Sequence, residues 1–313
     1  MKISRRIVAA LVPLALTVAS VSSAHSQADP TDLLDAAANG DISLVRLLLG
    51  TGQSANAVDS AGNSVLMFAA ANGQTDVAAM LVDNGADVNA ANNEGWTALM
   101  MAALGGHVEV AQGLIARGAV IDARADIGMT PLIMAAASGQ AEMVSLLLDN
   151  GASVDDATPD GRTALMAAAE GGHAECVRVL LDHGADASVE APGGFTALIA
   201  ARSHDHTAVA WQLIEAGAYF TTRPDAMPEL VSNPDLEVPD SLESADIQGS
   251  IVIQFIIDTA GKAEAESVEI IESPHEGLNE PVKQMFLGAV YKPAEFEGRP
   301  VRMRIRQSMS FGG

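Results

Sequence analysis

The chain has 313 residues, 49% of them hydrophobic, and its 40 acidic and 17 basic side chains give a formal net charge of −23. This length predicts about two domains, and the charge makes nucleic acid and anionic lipid unfavourable partners because both are themselves negative. The single cysteine excludes an internal disulfide, and no combination of Cys and His has the spacing of a zinc site.

The first 28 residues have the pattern of a secretory signal peptide. Three basic residues lie among the first six, an apolar run extends from Ile7 to Val21, and small residues follow, so cleavage is expected after Ala24 or Ala28. Fifteen apolar residues form a helix of about 22 Å, shorter than the ~30 Å hydrocarbon core of a bilayer. We therefore expect this segment to be removed during export, and we predict no stable membrane span in the mature chain.

An internal repeat with a period of 33 residues follows the signal. The triplet Thr-x-Leu recurs at this period, beginning at Thr97, Thr130, Thr163 and Thr196. Apolar residues at helical spacing after each triplet predict two short antiparallel helices, and stacked units would share one continuous core. Glycines recur in the same register in three series, which begin at Gly40, Gly52 and Gly62.

These features resemble the ankyrin repeat, a unit of 33 residues with a Thr-Pro-Leu-His-x-Ala signature. The resemblance covers residues 29–222 as six repeats, of which the first and last are atypical caps. It implies an α-solenoid in which each unit is a helix-turn-helix plus a β-hairpin, and a protein that binds other proteins. Apolar residues replace the signature histidine in this chain: Met67, Met100, Ile133, Met166 and Ile199.

The hairpins of ankyrin repeats are fingers that contact partners, and the residue before each Thr-x-Leu triplet lies on such a finger. Because core packing is not expected to dictate this position, we interpret large side chains there as anchor residues for a protein partner. Glu94 and Leu104 complete the predicted partner-binding surface of the repeats. The finger position itself is held by Asn63, Trp96, Met129, Arg162 and Phe195.

A different composition begins at residue 223. Four prolines among acidic and serine residues within 223–245 predict a stiff, extended linker. Residues 246–313 have the pattern of a second domain. Strands are predicted at 249–257, near 267–271 and at 301–309, with a helix at 278–287 between the second and the third.

This order of elements resembles the C-terminal domain of the TonB family. The matching motifs are Gly249 before the first strand, Asp258 to Gly261 in the turn, Tyr291-Lys292-Pro293 after the helix and Gly298-Arg299-Pro300 before the final strand. The resemblance implies a small α+β domain of ββαβ topology that adds a peptide strand from an outer-membrane protein to its sheet edge. Family members that transduce energy need an uncleaved membrane anchor, so that function requires the first 28 residues to be retained.

The last predicted strand carries a basic face. Period two places Arg302, Arg304 and Arg306 on one side of the strand and the apolar residues between them on the other. This face is either solvated or a site for an acidic partner, and it can also dock on the repeats of the same chain. Residues 29–222 contain 24 acidic and 6 basic side chains, whereas residues 245–313 contain 10 and 7.

No group of residues has the pattern of a catalytic or metal site. Cys176 stands in a column of apolar residues at intervals of 33, which favours a buried, inert thiol. His107, His173 and His206 share one position of the repeat, so the sequence around His206 is interpreted as a turn. We therefore predict no catalytic residue, no metal and no cofactor.

Taken together, these patterns predict an exported, periplasmic, non-catalytic interaction protein of a Gram-negative bacterium. Its partners are expected to be proteins, including an outer-membrane or other envelope protein, and not nucleic acid. One alternative is a TonB-like energy transducer that keeps its N-terminal segment as an anchor. Another is an enzyme, which would need a pocket of converging polar groups at the junction of the two domains.

Overall fold

The computed structural model describes residues 30–221, 224–239, 242 and 247–311, and the predicted signal peptide lies outside them. Within these ranges, six pairs of short helices precede a region of seven strands and one further helix, which confirms the predicted fold class. The pairs are α1 Pro30–Asn39 with α2 Ile42–Gly50, α3 Val65–Ala71 with α4 Thr75–Asp83, α5 Ala98–Gly105 with α6 Val108–Ile115, α7 Pro131–Ala137 with α8 Ala141–Asp149, α9 Ala164–Gly171 with α10 Ala174–Asp182, and α11 Ala197–Ser203 with α12 Thr207–Glu215.

The threonine of each Thr-x-Leu triplet caps the first helix of its repeat. Thr97 accepts a hydrogen bond from the main-chain N–H of Met100 at 3.4 Å, and Ser64 plays the same part at the start of α3. Such a cap satisfies a main-chain donor that the helix leaves without a partner, and it is worth about 1 kcal/mol. The hydroxyl residues at this position are all buried: Ser64, Thr97, Thr130, Thr163 and Thr196.

In the first five repeats, a glycine with positive φ follows the first helix and leaves room for a side chain of the next repeat; Asp205, with φ of 58°, holds this position in the last repeat. Gly172 has φ of 70°, and a Cβ atom there would lie 2.6 Å from the ring of His206. The histidine ring uses this space to donate its Nε2 hydrogen to a carbonyl oxygen at the end of the first helix of the preceding repeat. The bond recurs from His107 to Ala71, from His173 to Ala137 and from His206 to Glu170, at 3.0, 3.2 and 3.1 Å.

The stacked helices share one apolar core that runs the length of the array. Cys176 belongs to this core, as predicted, and burial raises the pKa of its thiol to about 11. The position of the first repeat that matches buried Val77 is Leu44, which is 36% exposed, and Leu47 beside it is 61% exposed. No described repeat covers this end of the array.

The C-terminal region contains the predicted strand-strand-helix-strand order. Strands β2 Gly249–Ile257, β3 Glu269–Glu272 and β7 Met303–Phe311 form an antiparallel sheet in the order β3-β2-β7. Helix α13 Asn279–Gly288 packs its apolar side chains against the inner face of β2, which forms a second core.

Three short strands were not predicted, because three residues are too few to show an alternating pattern. They are β4 Val290–Lys292, β5 Ala294–Phe296 and β6 Arg299–Val301, of which the last two pair with each other.

The segment predicted as a linker is extended but lies against the C-terminal region. Its residues Glu229–Ser232 form strand β1, which pairs with β4, and the N–H groups of Asp225 and Ala226 donate to the carbonyl oxygen of Glu295. No proline lies between Pro228 and Pro234, so the residues between them keep the main-chain N–H groups that a strand uses. Leu230 and Val231 in this stretch favour β structure. Within the stiff, extended linker that we expected at 223–245, these residues therefore bond to the C-terminal region.

Candidate functional site

The hairpin fingers lie in a row, and main-chain hydrogen bonds join those of the second, third and fourth repeats. In the third repeat, the side chain of Asn92 accepts the N–H of Trp96 at 2.9 Å, and the N–H of Asn92 donates to the carbonyl of Trp96 at the same distance. The next finger is attached by the N–H of Asp126, which donates to the carbonyl of Glu94 at 2.9 Å. Glu94 and Trp96 are therefore presented on a hairpin that is bonded to both neighbouring fingers, and partner binding would not have to order them.

The predicted finger residues differ in exposure. Asn63 and Met129 are only 5% and 8% exposed, so packing does determine their positions and Met129 is not the exposed anchor that we predicted. The unbranched side chain of Met129 reaches into the core of the array, where burying apolar surface stabilises the fold. Trp96, Arg162 and Phe195 are half-buried, and Glu94 is exposed.

Arg162 joins its finger to the inner helix of the same repeat. Its guanidinium group forms an ion pair with Glu170 on α9 and lies 5.2 Å from the centre of the Phe195 ring. The cation is thus already paired with a carboxylate and packed on an aromatic face. Arg162 supports the position of Phe195 on the neighbouring finger.

Leu104 lies on α5 and is half-buried, as expected for a residue that lines the surface beside the fingers. It stands two repeats before Glu170 at the same position of the repeat, just as Trp96 stands two repeats before Arg162. One end of this surface is therefore apolar and aromatic, and the other carries an ion pair. We call Glu94, Trp96, Leu104, Arg162 and Phe195 together the finger surface.

The alternation predicted for the last strand is confirmed. Val301 and Met303 are buried, whereas Arg302 and Arg304 are half-buried and Arg306 is exposed. Arg306 lies 3.5 Å from Glu272 in a solvent-exposed pair, which contributes little to stability.

The other two arginines have acidic partners within the chain. Arg302 donates to both carboxylate oxygens of Glu264, at 2.6 and 2.7 Å, and also to the carbonyl of Gly217 after α12. Arg304 pairs with Glu190, which lies on the last hairpin of the repeats. In the structure, Arg304 therefore docks on the chain's own repeats. An external acidic partner would have to displace Glu190.

Aromatic residues that were not predicted complete the contact between the repeats and the C-terminal region. The ring of Trp211 on α12 lies 5.4 Å from that of Phe296, and its N–H donates to Glu297 at 2.9 Å. The guanidinium group of Arg299 lies 4.0 Å from the centre of the Trp211 ring. A signal for this site was present, because the residues that precede Trp211 at intervals of 33 are polar or small: Arg46, Ala79, Gln112, Ser145 and Arg178.

Phe220 forms the centre of the contact between the two regions. Its ring is 1% exposed and lies 5.5 Å from Phe296 and 4.8 Å from the guanidinium carbon of Arg202. The core of the repeats continues past Phe220 into Val301 and Met303 of the C-terminal region. The two regions are therefore joined by buried apolar surface as well as by charge.

The two tyrosines of the chain should ionise well above their usual pH, because burial raises the pKa of both Tyr219 and Tyr291 to about 12. At pH 11 about a tenth of the tyrosine should be ionised in the folded chain, against about nine tenths in urea, where the pKa is near 10. Absorbance at 295 nm measures this difference. A folded-state pKa above the unfolded value also means that this contribution to stability is complete below pH 10 and is lost as the pH rises towards 12.

Tyr219→Phe is the control for this titration. It should leave only the Tyr291 transition, still near pH 12. Ionisation of the folded chain at pH 10 would show that the tyrosines are accessible to water and would contradict the prediction.

The described part of the chain contains neither a metal-binding cluster nor a helix that could span a membrane. Over residues 30–221, 224–239, 242 and 247–311, no group of three or more His, Cys, Asp and Glu side chains is placed to hold a metal ion. In the same ranges, no helix combines the length and the apolar character that crossing a bilayer requires.

Comparison with known proteins assigns both regions. A family model described as ankyrin repeats in three copies matches residues 33–125 and 132–224. A second model, described as the C-terminal of the Gram-negative bacterial TonB protein, matches residues 235–312. No curated protein matches the chain. Ankyrin repeats are modules of protein–protein interaction, a TonB C-terminal domain indicates a role associated with the Gram-negative envelope, and neither family is catalytic.

Proposed function

Because the chain belongs to the ankyrin repeat family, we propose that it is an exported interaction protein of the periplasm that does no catalysis. It binds one protein partner through the finger surface and an extended segment of a second partner through the sheet edge of its TonB C-terminal domain. The partners are envelope proteins, including outer-membrane proteins. The observation that carries this proposal is the finger surface, where the half-buried aromatic side chains of Trp96 and Phe195 stand on a row of hairpins.

The chemistry of the finger surface supports binding to a protein. Tryptophan and arginine are the residues that most often dominate binding energy at protein interfaces, and Trp96 and Arg162 occupy equivalent positions two repeats apart. The ring of Phe195 is fixed by Arg162 before a partner arrives, which lowers the entropy lost on binding. The exposed carboxylate of Glu94 favours a partner with a basic group at this end.

The sheet edge is supported as a second site by the arrangement of β7. This strand pairs with β2 along its whole length, and beyond Arg304 its other side has no strand partner among the described residues. An unpaired strand edge can accept an extended peptide through main-chain hydrogen bonds.

The finger surface is tested by crosslinking in the envelope of a producing cell. A photoreactive residue in place of exposed Glu94 should form an adduct with the partner, and a photoreactive residue at Asp76 on α4 serves as the control position. Adding Trp96→Ala and Phe195→Ala should lower the yield of the Glu94 adduct at least tenfold, since each anchor is worth about 1 kcal/mol or more. The helical circular dichroism should stay unchanged. An undiminished adduct would contradict the role of the finger surface.

The export proposal is tested separately by the N-terminal sequence of the protein recovered from cells. A start at His25 or Asp29 supports a cleaved signal and a periplasmic location. A start at Met1 would favour the anchored energy transducer instead.

A further inference from the structure

The outer edge of β7 is the surface from which a further inference follows. The C=O of Arg302 and the N–H of Arg304 bond to Phe220 and not to β2, so the odd-numbered residues of the strand, from Met303 to Phe311, are the ones that face β2. In an antiparallel pair the residues between them direct their N–H and C=O groups to the other side. Arg304, Arg306, Ser308 and Ser310 therefore form the outer edge, together with Arg302 just before the strand.

One end of this edge is already occupied by the ankyrin array. The N–H of Phe220 donates to the carbonyl of Arg302 at 2.8 Å, and the N–H of Arg304 donates to the carbonyl of Phe220 at 2.7 Å. Phe220 is thus a single residue of added strand, parallel to Met303. It is supplied by the segment that leaves the last ankyrin helix, α12.

We propose that the end of the ankyrin array and a partner's strand compete for the outer edge of β7. With Phe220 in place, the outward-facing main-chain groups of Arg306, Ser308 and Ser310 have no strand partner in the part of the chain that the structure describes. With Phe220 released, five residues of the edge are free. Because outward-facing residues alternate along a strand, the three span residues 306–310 and the five span residues 302–310. A strand in a protein sheet is typically five or six residues long, so a longer partner segment gains the main-chain bonds at Arg302 and Arg304 only when the array is displaced. This inference rests on the strand addition in the proposed function, and it adds the regulation of that site.

Two of the side-chain contacts that hold the array in place lie beside the edge and not on it. Glu190 holds Arg304 through an ion pair, and Trp211 contacts Phe296 and donates to Glu297. None of these side chains supplies the main-chain groups that a partner would use. Changing Glu190 and Trp211 should therefore free the edge without altering it.

The test compares two double variants of the full chain by amide hydrogen exchange and by peptide binding. Glu190→Gln with Trp211→Ala removes the docking contacts. Asp83→Asn with Phe68→Ala is the matched control, because it also neutralises one partner of an arginine ion pair and removes one half-buried aromatic ring of the same array, away from β7. The probe is a labelled peptide that copies residues 216–221, Ala-Gly-Ala-Tyr-Phe-Thr, and so carries the residues that occupy the edge in the folded chain.

In the unchanged chain and in the control, the amide of Arg304 should be protected, while those of Ser308 and Ser310 should exchange quickly. The docking variant should lose at least tenfold of the Arg304 protection and bind the peptide at least tenfold more tightly, since two main-chain bonds are worth about 2 kcal/mol. Retained protection of Arg304 in that variant would overturn the inference, and so would equal peptide affinity in all three proteins.

The protection pattern separates this inference from the proposed function. If the peptide slows exchange at Ser308 and Ser310 equally in all three proteins, strand addition stands and competition fails. If it slows exchange there in none of them, strand addition to β7 fails as well.

Discussion

Replacing Phe220 with alanine should lower the free energy of unfolding by about 3–5 kcal/mol, the usual cost of removing a buried aromatic ring. The ring is 1% exposed and is packed on Phe296, so its loss opens a cavity between the ankyrin array and the TonB C-terminal domain. Because the core is continuous across this contact, both regions should become less stable. Urea denaturation followed by circular dichroism measures the change.

Phe195→Ala is the matched control, since it removes the same ring from a half-buried position on a finger. It should cost about 1 kcal/mol or less, as is usual for partly exposed positions. A loss of similar size in the two variants would mean that Phe220 is not a core residue. It would also mean that the contact between the regions contributes little to stability.

The same chemical change at two glycines should have opposite effects. Gly172→Ala should destabilise the array by about 2–3 kcal/mol, because a left-handed backbone costs an alanine about 1–2 kcal/mol and the new methyl group would displace the ring of His206. Displacing that ring breaks its hydrogen bond to the carbonyl of Glu170, which is worth about 1 kcal/mol.

Gly113→Ala should instead stabilise the array by about 1 kcal/mol. Gly113 lies inside helix α6, where alanine is preferred to glycine by about that amount. It borders an apolar cavity of about 60 Å³ between α4 and α6, and the nearest atom to an added Cβ is the Arg117 side chain at 3.8 Å. Melting temperatures of both variants measure the two effects. A change of the same sign at both positions would contradict this account of the repeat.

The roles of Gly172, Phe220 and Trp211 could be predicted from the sequence to different extents. The role of Gly172 was foreseeable, because it stands in a glycine series with the period of the repeat. The role of Phe220 was not, because its equivalents in earlier repeats, such as Val154 and Ala187, are apolar residues that contact only the array. Trp211 was foreseeable in part, since an aromatic residue at an otherwise polar or small position indicates a contact.

For the arginines of the last strand, the sequence pattern predicted the face on which they lie but not the acidic residues that they contact. Period two placed Arg302 and Arg304 correctly on one face, because side-chain direction along a strand is a local property of the backbone. It did not identify their partners, because Glu190 is 114 residues from Arg304 in the chain. Which acid reaches which arginine depends on how the last repeat and the sheet pack together.

Met129 illustrates the same limit within a single repeat. Its position in the hairpin followed from the period of 33, but the direction of its flexible side chain did not. Whether such a side chain lies on the surface or in the core depends on the space left by neighbouring helices. Only the packed array showed that space, and Met129 fills it.

The sequence by itself determined the ankyrin fold, the order of elements in the TonB C-terminal domain and the positions of the fingers. It could do so because each repeated residue has the same local task in every repeat, as a cap, a turn or a core side chain. The tertiary structure alone decided that the two regions share a core, that the segment after the repeats lies along the second region, and that Phe220 occupies the edge of β7. These are contacts between distant parts of the chain, and they depend on shapes that form only when both parts are folded.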